Sequence, residues 1–381
     1  MKDIHWNLWY SMPMVFLLTG CPDGGGSGGV FEGTGSTSHV VYTANGGANT
    51  LSGFMIGTAG ALTATTPATF STGGTNSEWV AVSPNGQFLY ASNQNSATVS
   101  GFTINSTTGN LSPMVPATFA TGAGSSPRGV TVTPNRQFLY VANSGSNTIA
   151  AFSIGAGGVL TPTSPATFPT SGSLARGIAV SPNGQFLYAA NAGTHTISGF
   201  SIGVGGALTS TSPATFSAGA GSPSPEGLAI SPNGSYLYVA NSGTNAIAVF
   251  SIGGGGALTP TVPPTFSTGV LGSSPQRIVI SPNGSFLYVT NSGMNEVAAF
   301  TIGAGGLLTP TTPATFTTGA AATPVGITIN PDGQFLYVAN SGSTGVSGFT
   351  IGLGGILAPT TPATFSTAPH APIGIATPGR P

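Results

Sequence analysis

Apolar and polar residues along this chain fall into short runs separated by Gly, Pro, Asn and Ser. The stretch 129–168 shows the pattern. Gly129-Val-Thr-Val-Thr133 alternates and is rich in β-branched residues, which predicts a strand. Pro134-Asn135 opens a tight turn, and Phe138-Leu-Tyr-Val-Ala142 is a second strand. Asn143 to Asn147 is composed of residues that tolerate unusual backbone angles, so it reads as another turn. Thr148 to Ile154 is a third strand, followed by a turn at Gly155-Ala-Gly-Gly158. Leu160 to Phe168 is a fourth, interrupted by Pro and therefore outermost, because Pro cannot donate to a central ladder.

This unit repeats. Tyr-x-x-Asn segments begin at Tyr42, Tyr90, Tyr140, Tyr188, Tyr238, Tyr288 and Tyr337, spaced 48, 50, 48, 50, 50 and 49 residues apart. Two further markers keep the same spacing. One is Phe54, Phe102, Phe152, Phe200, Phe250, Phe300 and Phe349; the other is Phe70, Phe119, Phe168, Phe216, Phe266, Phe316 and Phe365. A period near 50 built only of strand-like segments predicts an all-β, seven-bladed β-propeller with four antiparallel strands per blade. The repeated Phe and Tyr are expected to fill the space between blades.

The ends of the repeat array predict how the ring closes. The first copy, His39-Val-Val-Tyr-Thr-Ala-Asn45, has no inner strand before it. The missing segment is at the other end, where Pro372-Ile-Gly-Ile-Ala-Thr-Pro378 matches Pro127-Arg-Gly-Val-Thr-Val-Thr-Pro134. The last blade should therefore combine the C-terminal strand with three N-terminal strands, removing an open edge. One propeller domain is expected over 38–378.

Composition narrows the function. Charged residues are 3% of the 381, against roughly 25% in an average protein. Net charge is −1 with six basic residues, which excludes a phosphate-neutralising nucleic-acid binder. A single Cys excludes a disulfide scaffold and a multi-Cys metal site. Gly and Pro number 60 and 31, which disfavours helices, while 39% hydrophobic residues supply a core.

Residues 1–21 read as an address. The apolar stretch Met12 to Leu18 follows Lys2 and ends in Leu18-Thr19-Gly20-Cys21. This resembles the lipobox of bacterial lipoproteins, with small residues beside the scissile bond and a thiol free for acylation. A chance Cys in a plain secretory signal is the alternative. The stretch is too short to span a bilayer. Residues 22–37 have the Gly/Ser composition of a flexible tether. The expectation is an extracytoplasmic protein, lipidated at Cys21, touching the membrane through that anchor only and monomeric.

In a propeller, the first residues of the inner strands lie level around one mouth of the central channel. Here they are Glu78, Arg128, Arg176, Glu226, Gln276, Val325 and Ile373. Only nine charged residues lie between Ser38 and Pro381, and four of them occupy this one repeat position. Arg277 is a fifth, next along the chain, where most repeats have Gly. One reading is a pocket for a small anionic or hydroxylated ligand, since paired guanidinium groups suit carboxylate or phosphate. On that reading Arg128, Arg176 and Glu226 are the candidate catalytic residues. Glu78, Gln276, Arg277 and Trp79 are candidate ligand contacts. The other reading is mutual neutralisation, with the ion pairs filling the mouth. Trp79 offers a stacking face for a sugar or simply packs between blades. His195 occupies the hairpin position held by Asn49, Asn147, Asn245 and Asn295 and reads as a turn residue. Glu296 is expected on an exposed face. His39 and His370 lie near the closure, too few for a zinc site; no metal and no cofactor are expected.

The repeated Pro-Asn-Gly-x-x-Leu-Tyr-Val-Ala-Asn, with Tyr288-Val-Thr-Asn291, resembles the YVTN-repeat propellers. The x-Pro-x-Gly strand and the Ile-Gly-x-Gly-Gly-x-Leu-Thr-Pro segment are similar to the lactonase-type seven-bladed propellers, which include 6-phosphogluconolactonase. That resemblance implies an active site on inner strands beginning Pro-Arg, which Pro127-Arg128 and Ala175-Arg176 match. The family also uses His at such positions, and none of the seven here is His.

Two functions are compatible with these features. The one placed first is a binding module at the cell envelope, contacting an envelope glycan or protein. The alternative is a lactonase-like hydrolase in which Arg128, Arg176 and Glu226 polarise a lactone carbonyl and activate water. A third, lesser view is a repeat scaffold without pocket chemistry. Fold likeness alone does not choose between them.

Overall fold

The computed structural model describes residues 39–378. The expected signal and tether lie outside the described residues. The described residues form seven four-stranded antiparallel sheets. Blades 1 to 6 span 77–120, 127–169, 175–217, 225–267, 275–317 and 324–366. In each, the first strand is innermost and the fourth outermost. Blade 7 joins the strand Ala371–Ala376 to Val40–Gly46, Thr50–Ile56 and Leu62–Ser71. Its junction pairs Tyr42 with Ala376, Thr43 with Ile375 and Ala44 with Gly374, so head and tail share one ladder. Among the described residues no helix is long and apolar enough to cross a membrane.

Strand limits follow the sequence pattern closely. The third strand of blade 2 is Thr148–Ile154, and the fourth runs from Leu160 to Pro169. The outer strand is not broken at its Pro. Instead the register slips between Ala150 and Phe152, which pair with Thr167 and Pro162. The residues between bulge out of the ladder, which spares Pro165 a hydrogen bond it cannot make.

The core is divided among the joints between blades. Tyr90, Val99, Met114 and Phe119 of blade 1 pack on Val130, Leu139, Val141 and Phe152 of blade 2. Equivalent clusters fill the other six joints. Each repeat Tyr is fully buried, and its hydroxyl donates to a glycine carbonyl in the next blade. Tyr140 reaches Gly206 at 2.9 Å and Tyr188 reaches Gly256 at 2.8 Å. Gly206 has φ +79°, and a Cβ there would collide with the Phe138 ring of the preceding blade. Only glycine satisfies both demands. The Gly-x-Gly-Gly turn is therefore a blade-to-blade socket as well as a hairpin.

Candidate functional site

The inner strands begin with one residue locked to the second strand, then bulge. In blade 2 Pro127 pairs with Asn143, and regular pairing resumes at Val130 with Val141. The two residues in the bulge, Arg128 and Gly129, are thus freed from the ladder at the channel mouth. The same shift recurs in blades 3, 4, 5 and 6. Propeller symmetry then sets Glu78, Arg128, Arg176, Glu226 and Gln276 at successive points of one ring, with Val325 and Ile373 completing it.

The four charges pair between neighbours. Arg128 Nη1 lies 3.7 Å from Glu78 Oε2, joining blades 1 and 2. Arg176 Nη1 makes a close ion pair with Glu226 Oε1, joining blades 3 and 4. The carboxylates lie deeper than the cations: the Glu226 and Glu78 side chains are 7% and 16% exposed, whereas Arg176 and Arg128 are 30% and 29%. Neutralisation therefore accounts for the glutamates better than for the arginines, whose outer edges face solvent. Arg176 Nε is buried without a hydrogen-bond partner.

Gln94 is a site residue that the sequence reading did not single out. With its amide oxygen turned to Arg128, it accepts from Nε at 3.3 Å and Nη2 at 3.0 Å. Its nitrogen then donates to Glu78 Oε1 at 3.0 Å. Asn76 also donates to Glu78 Oε1, at 3.3 Å. The available signal was positional: Gln94 follows a repeat Asn where sister copies have Gly46, Ser144, Ala192, Ser242, Ser292 or Ser341. Gln276 turns back toward Ser274, lying 3.3 Å from its hydroxyl.

Trp79 and Arg277 occupy the repeat position that is Gly in the other five blades. There the strands approach closely: a Cβ on Gly177 would strike the Glu226 carbonyl of the next blade. In blades 1 and 5 a hydroxyl accommodates the larger residue. Ser92 Oγ accepts from the Trp79 amide at 3.1 Å and donates to the Arg128 carbonyl at 2.6 Å. Thr290 Oγ1 accepts from the Arg277 amide at 3.1 Å and donates to the Val325 carbonyl at 2.8 Å. The two side chains meet across the channel, with the Arg277 guanidinium carbon 4.4 Å from the Trp79 ring centroid. Arg277 Nη1 also donates to the Glu226 carbonyl at 2.5 Å. Burial lowers the Arg277 pKa to about 10, so it remains protonated at neutral pH.

The remaining candidates have structural roles. His195 has φ +59°, and its Nδ1 accepts from the Ser224 amide at 3.1 Å. Asn245 Oδ1 does the same for Ser274 at 2.9 Å, so His195 acts as a turn residue. Glu296 is half-buried, not exposed as expected, and accepts from Asn291 Nδ2 through its Oε1 at 3.2 Å. Among the described residues no three His, Cys, Asp or Glu side chains come together as a metal site.

The sequence matches the family "Lactonase, 7-bladed beta-propeller" over residues 34–124, 113–222 and 257–360, more than half of its length. The chain belongs to the seven-bladed propeller lactonase family. No curated protein matches the sequence. Among known structures, this lactonase-family propeller is similar to a candidate 6-phosphogluconolactonase from Bacteroides fragilis. That likeness has a TM-score of 0.77 and 22% identity, and covers 91% of this chain and 99% of the other. It is also similar to the periplasmic gluconolactonase of Pseudomonas aeruginosa, with a TM-score of 0.72 and 18% identity over 90% and 99% of the two chains. A virginiamycin B lyase from Staphylococcus aureus is more distant, with a TM-score of 0.57 and 16% identity over 80% and 89%. At these identities the lactonase-family likeness carries the fold, and chemistry must be argued from the mouth itself.

Proposed function

We propose that this protein hydrolyses a lactone at the channel mouth. The observation that carries the reading is the inequality within the two ion pairs. Each carboxylate is sunk and each arginine side chain keeps about a third of its surface open, so the face offered to a ligand is cationic. Arg128 and Arg176 would hold the carbonyl oxygen and stabilise the oxyanion as water adds to the carbonyl carbon. Glu78, in the longer pair, would take the proton from that water and return it to the ring oxygen as the ester bond breaks. The products are a carboxylate and a hydroxyl. Glu226, in the close pair, would position Arg176. Family membership supports this reading over the envelope-binding module.

The test is turnover of a panel of sugar and acyl lactones by the parent, Arg128→Ala and Arg176→Ala. Turnover that falls at least tenfold in each variant is expected. No turnover in the parent removes the hydrolase and leaves a binder. We also propose that the protein is held outside the cytoplasm by a lipid on Cys21. The lipobox supports this, and the likeness to a periplasmic gluconolactonase agrees with it. Globomycin should block processing, and Cys21→Ala should release the protein from membranes; unchanged fractionation would refute the anchor.

A further inference from the structure

The stacked pair Trp79–Arg277 borders a small cavity in the channel. This cavity, about 50 Å³, is bordered by Trp79 and Arg277, by Gly129, Gly177 and Gly227, and by the aliphatic side chains of Ile178, Leu228, Ile278 and Ile327. It exists because blades 2, 3 and 4 keep glycine where blades 1 and 5 carry bulky residues. The departures in blades 1 and 5 come in matched sets. Each large residue is accompanied by a hydroxyl, Ser92 or Thr290, at a position that is Ala44, Ala142, Ala190, Ala240 and Ala339 in the five glycine blades. Two blades are therefore built to bring an aromatic ring and a guanidinium together, and the three between them are built to leave room.

The charge at this end of the channel does not balance. Arg128 and Arg176 are matched by Glu78 and Glu226. Arg277 has no carboxylate of its own: it stacks on Trp79 and donates to a backbone carbonyl. Its Nε is buried with no hydrogen-bond partner. Three arginines against two glutamates leave one positive charge uncompensated. Of the other charged side chains among the described residues, Arg136 and Asp332 belong to turns and Glu296 is bonded to Asn291.

We infer that Arg277 and the notch it lines form a subsite for a single carboxylate, so that the ligand of this mouth is a monoanionic hydroxy acid or a lactone bearing one carboxylate. Size and charge both select it. A cavity of about 50 Å³ holds a few water-sized groups, enough for the three heavy atoms of a carboxylate but cramped for a tetrahedral phosphate. One unmatched cation complements one negative charge and falls short of a phosphomonoester's nearly two. This inference rests on the mouth being a ligand site, as proposed above, and adds which ligands enter it.

Calorimetric binding to the intact protein at low salt tests the idea with three probes: D-gluconate, its neutral analogue D-glucitol, and 6-phosphogluconate. Gluconate should bind at least tenfold more tightly than glucitol, and more tightly than 6-phosphogluconate. Arg277→Met should abolish the gluconate preference, bringing gluconate and glucitol to similar affinity. Ile178→Phe, which fills the notch without altering charge, should do the same. If one variant fails to fold, the other decides, because Arg128 and Arg176 by themselves favour an anion; a gluconate preference that survives in the folded variant overturns the inference. Equal binding of gluconate and glucitol, or tighter binding of 6-phosphogluconate, overturns the inference. Lactone turnover is scored separately. Selective gluconate binding without turnover would keep this subsite and remove the hydrolase; turnover without charge preference would do the reverse.

Discussion

The hydroxyl of Tyr337 donates to the carbonyl of Gly60, 277 residues earlier in the chain, at 2.8 Å. The same bond ties Tyr42 to Gly109, Tyr90 to Gly158, Tyr238 to Gly306 and Tyr288 to Gly355. The joints spanning the chain ends are therefore bonded like those between sequential blades. Tyr337→Phe leaves a buried carbonyl unpaired and should cost about 1–2 kcal/mol of unfolding free energy. Tyr188→Phe should cost a similar amount, because the ring has no privileged seam. Urea titrations of both variants check this; a loss at Tyr337 several times that at Tyr188 would mark the closure as the weak joint.

Burial holds all seven repeat tyrosines protonated well above the ordinary phenol range. An unfolded chain releases those protons from about pH 10 upward. Above that pH the folded protein binds more protons than the unfolded one, so stability falls as pH rises. Arg277 acts in the opposite sense, since its folded pKa is lowered to about 10, but it is one group against seven. The urea midpoint should be flat between pH 7 and 9 and drop steeply above 10. Phenolate absorbance from these seven should appear only with unfolding. A smooth, non-cooperative rise in absorbance with the fold intact would contradict the burial argument.

Much of this was legible in the sequence, for a physical reason. Each blade is a local unit, and its markers Tyr, Asn and Phe recur because each joint sets the same packing problem. The closure was readable because one inner strand was missing at the start and one was left over at the end. The ring of Glu78, Arg128, Arg176 and Glu226 followed from equal repeat position. What local pattern could not reveal was contact across the channel. Trp79 and Arg277 stood out as departures from Gly, yet nothing in either segment says that they touch. Likewise Gln94 is defined as a site residue only by its distance to Arg128, which belongs to the next blade.

Removing the strand Ala371–Ala376 should abolish folding as a monomer. It is the inner strand of blade 7 and pairs along Val40–Gly46. Thr377 beyond it donates to the Ile329 carbonyl at 2.9 Å. A chain ending at Thr367 would expose the ladder edge of Val40–Gly46 and uncover Val41 and Phe54, which lie in the joint with blade 6. Aggregation, or an uncooperative melt, is the expected outcome. Attaching residues 368–378 ahead of His39 through a short linker should restore a single cooperative transition. A truncated chain that melts like the parent would show that the shared blade is dispensable.

The two ion pairs should respond differently to loss of a partner. Arg176→Ala strands the Glu226 carboxylate, which is 7% exposed. Arg128→Ala strands Glu78, which is 16% exposed and keeps Asn76 as a donor at 3.3 Å. Removing one member of a buried pair costs more than the pair was worth, because the remaining charge loses its compensation in a low dielectric. The partial exposure of Arg176 discounts this, so about 2 kcal/mol is expected for Arg176→Ala and under about 1 kcal/mol for Arg128→Ala. Glu226→Gln in the Arg176→Ala background should recover most of the loss, since the uncompensated charge is gone. Chemical denaturation of these variants and of Glu226→Gln alone, with the Arg176–Glu226 set analysed as a double-mutant cycle, measures the coupling. Equal losses in the two single variants, with no recovery in the double, would mean that both carboxylates are solvated through the open mouth. The arginines would then be held there for a ligand alone and not for the fold.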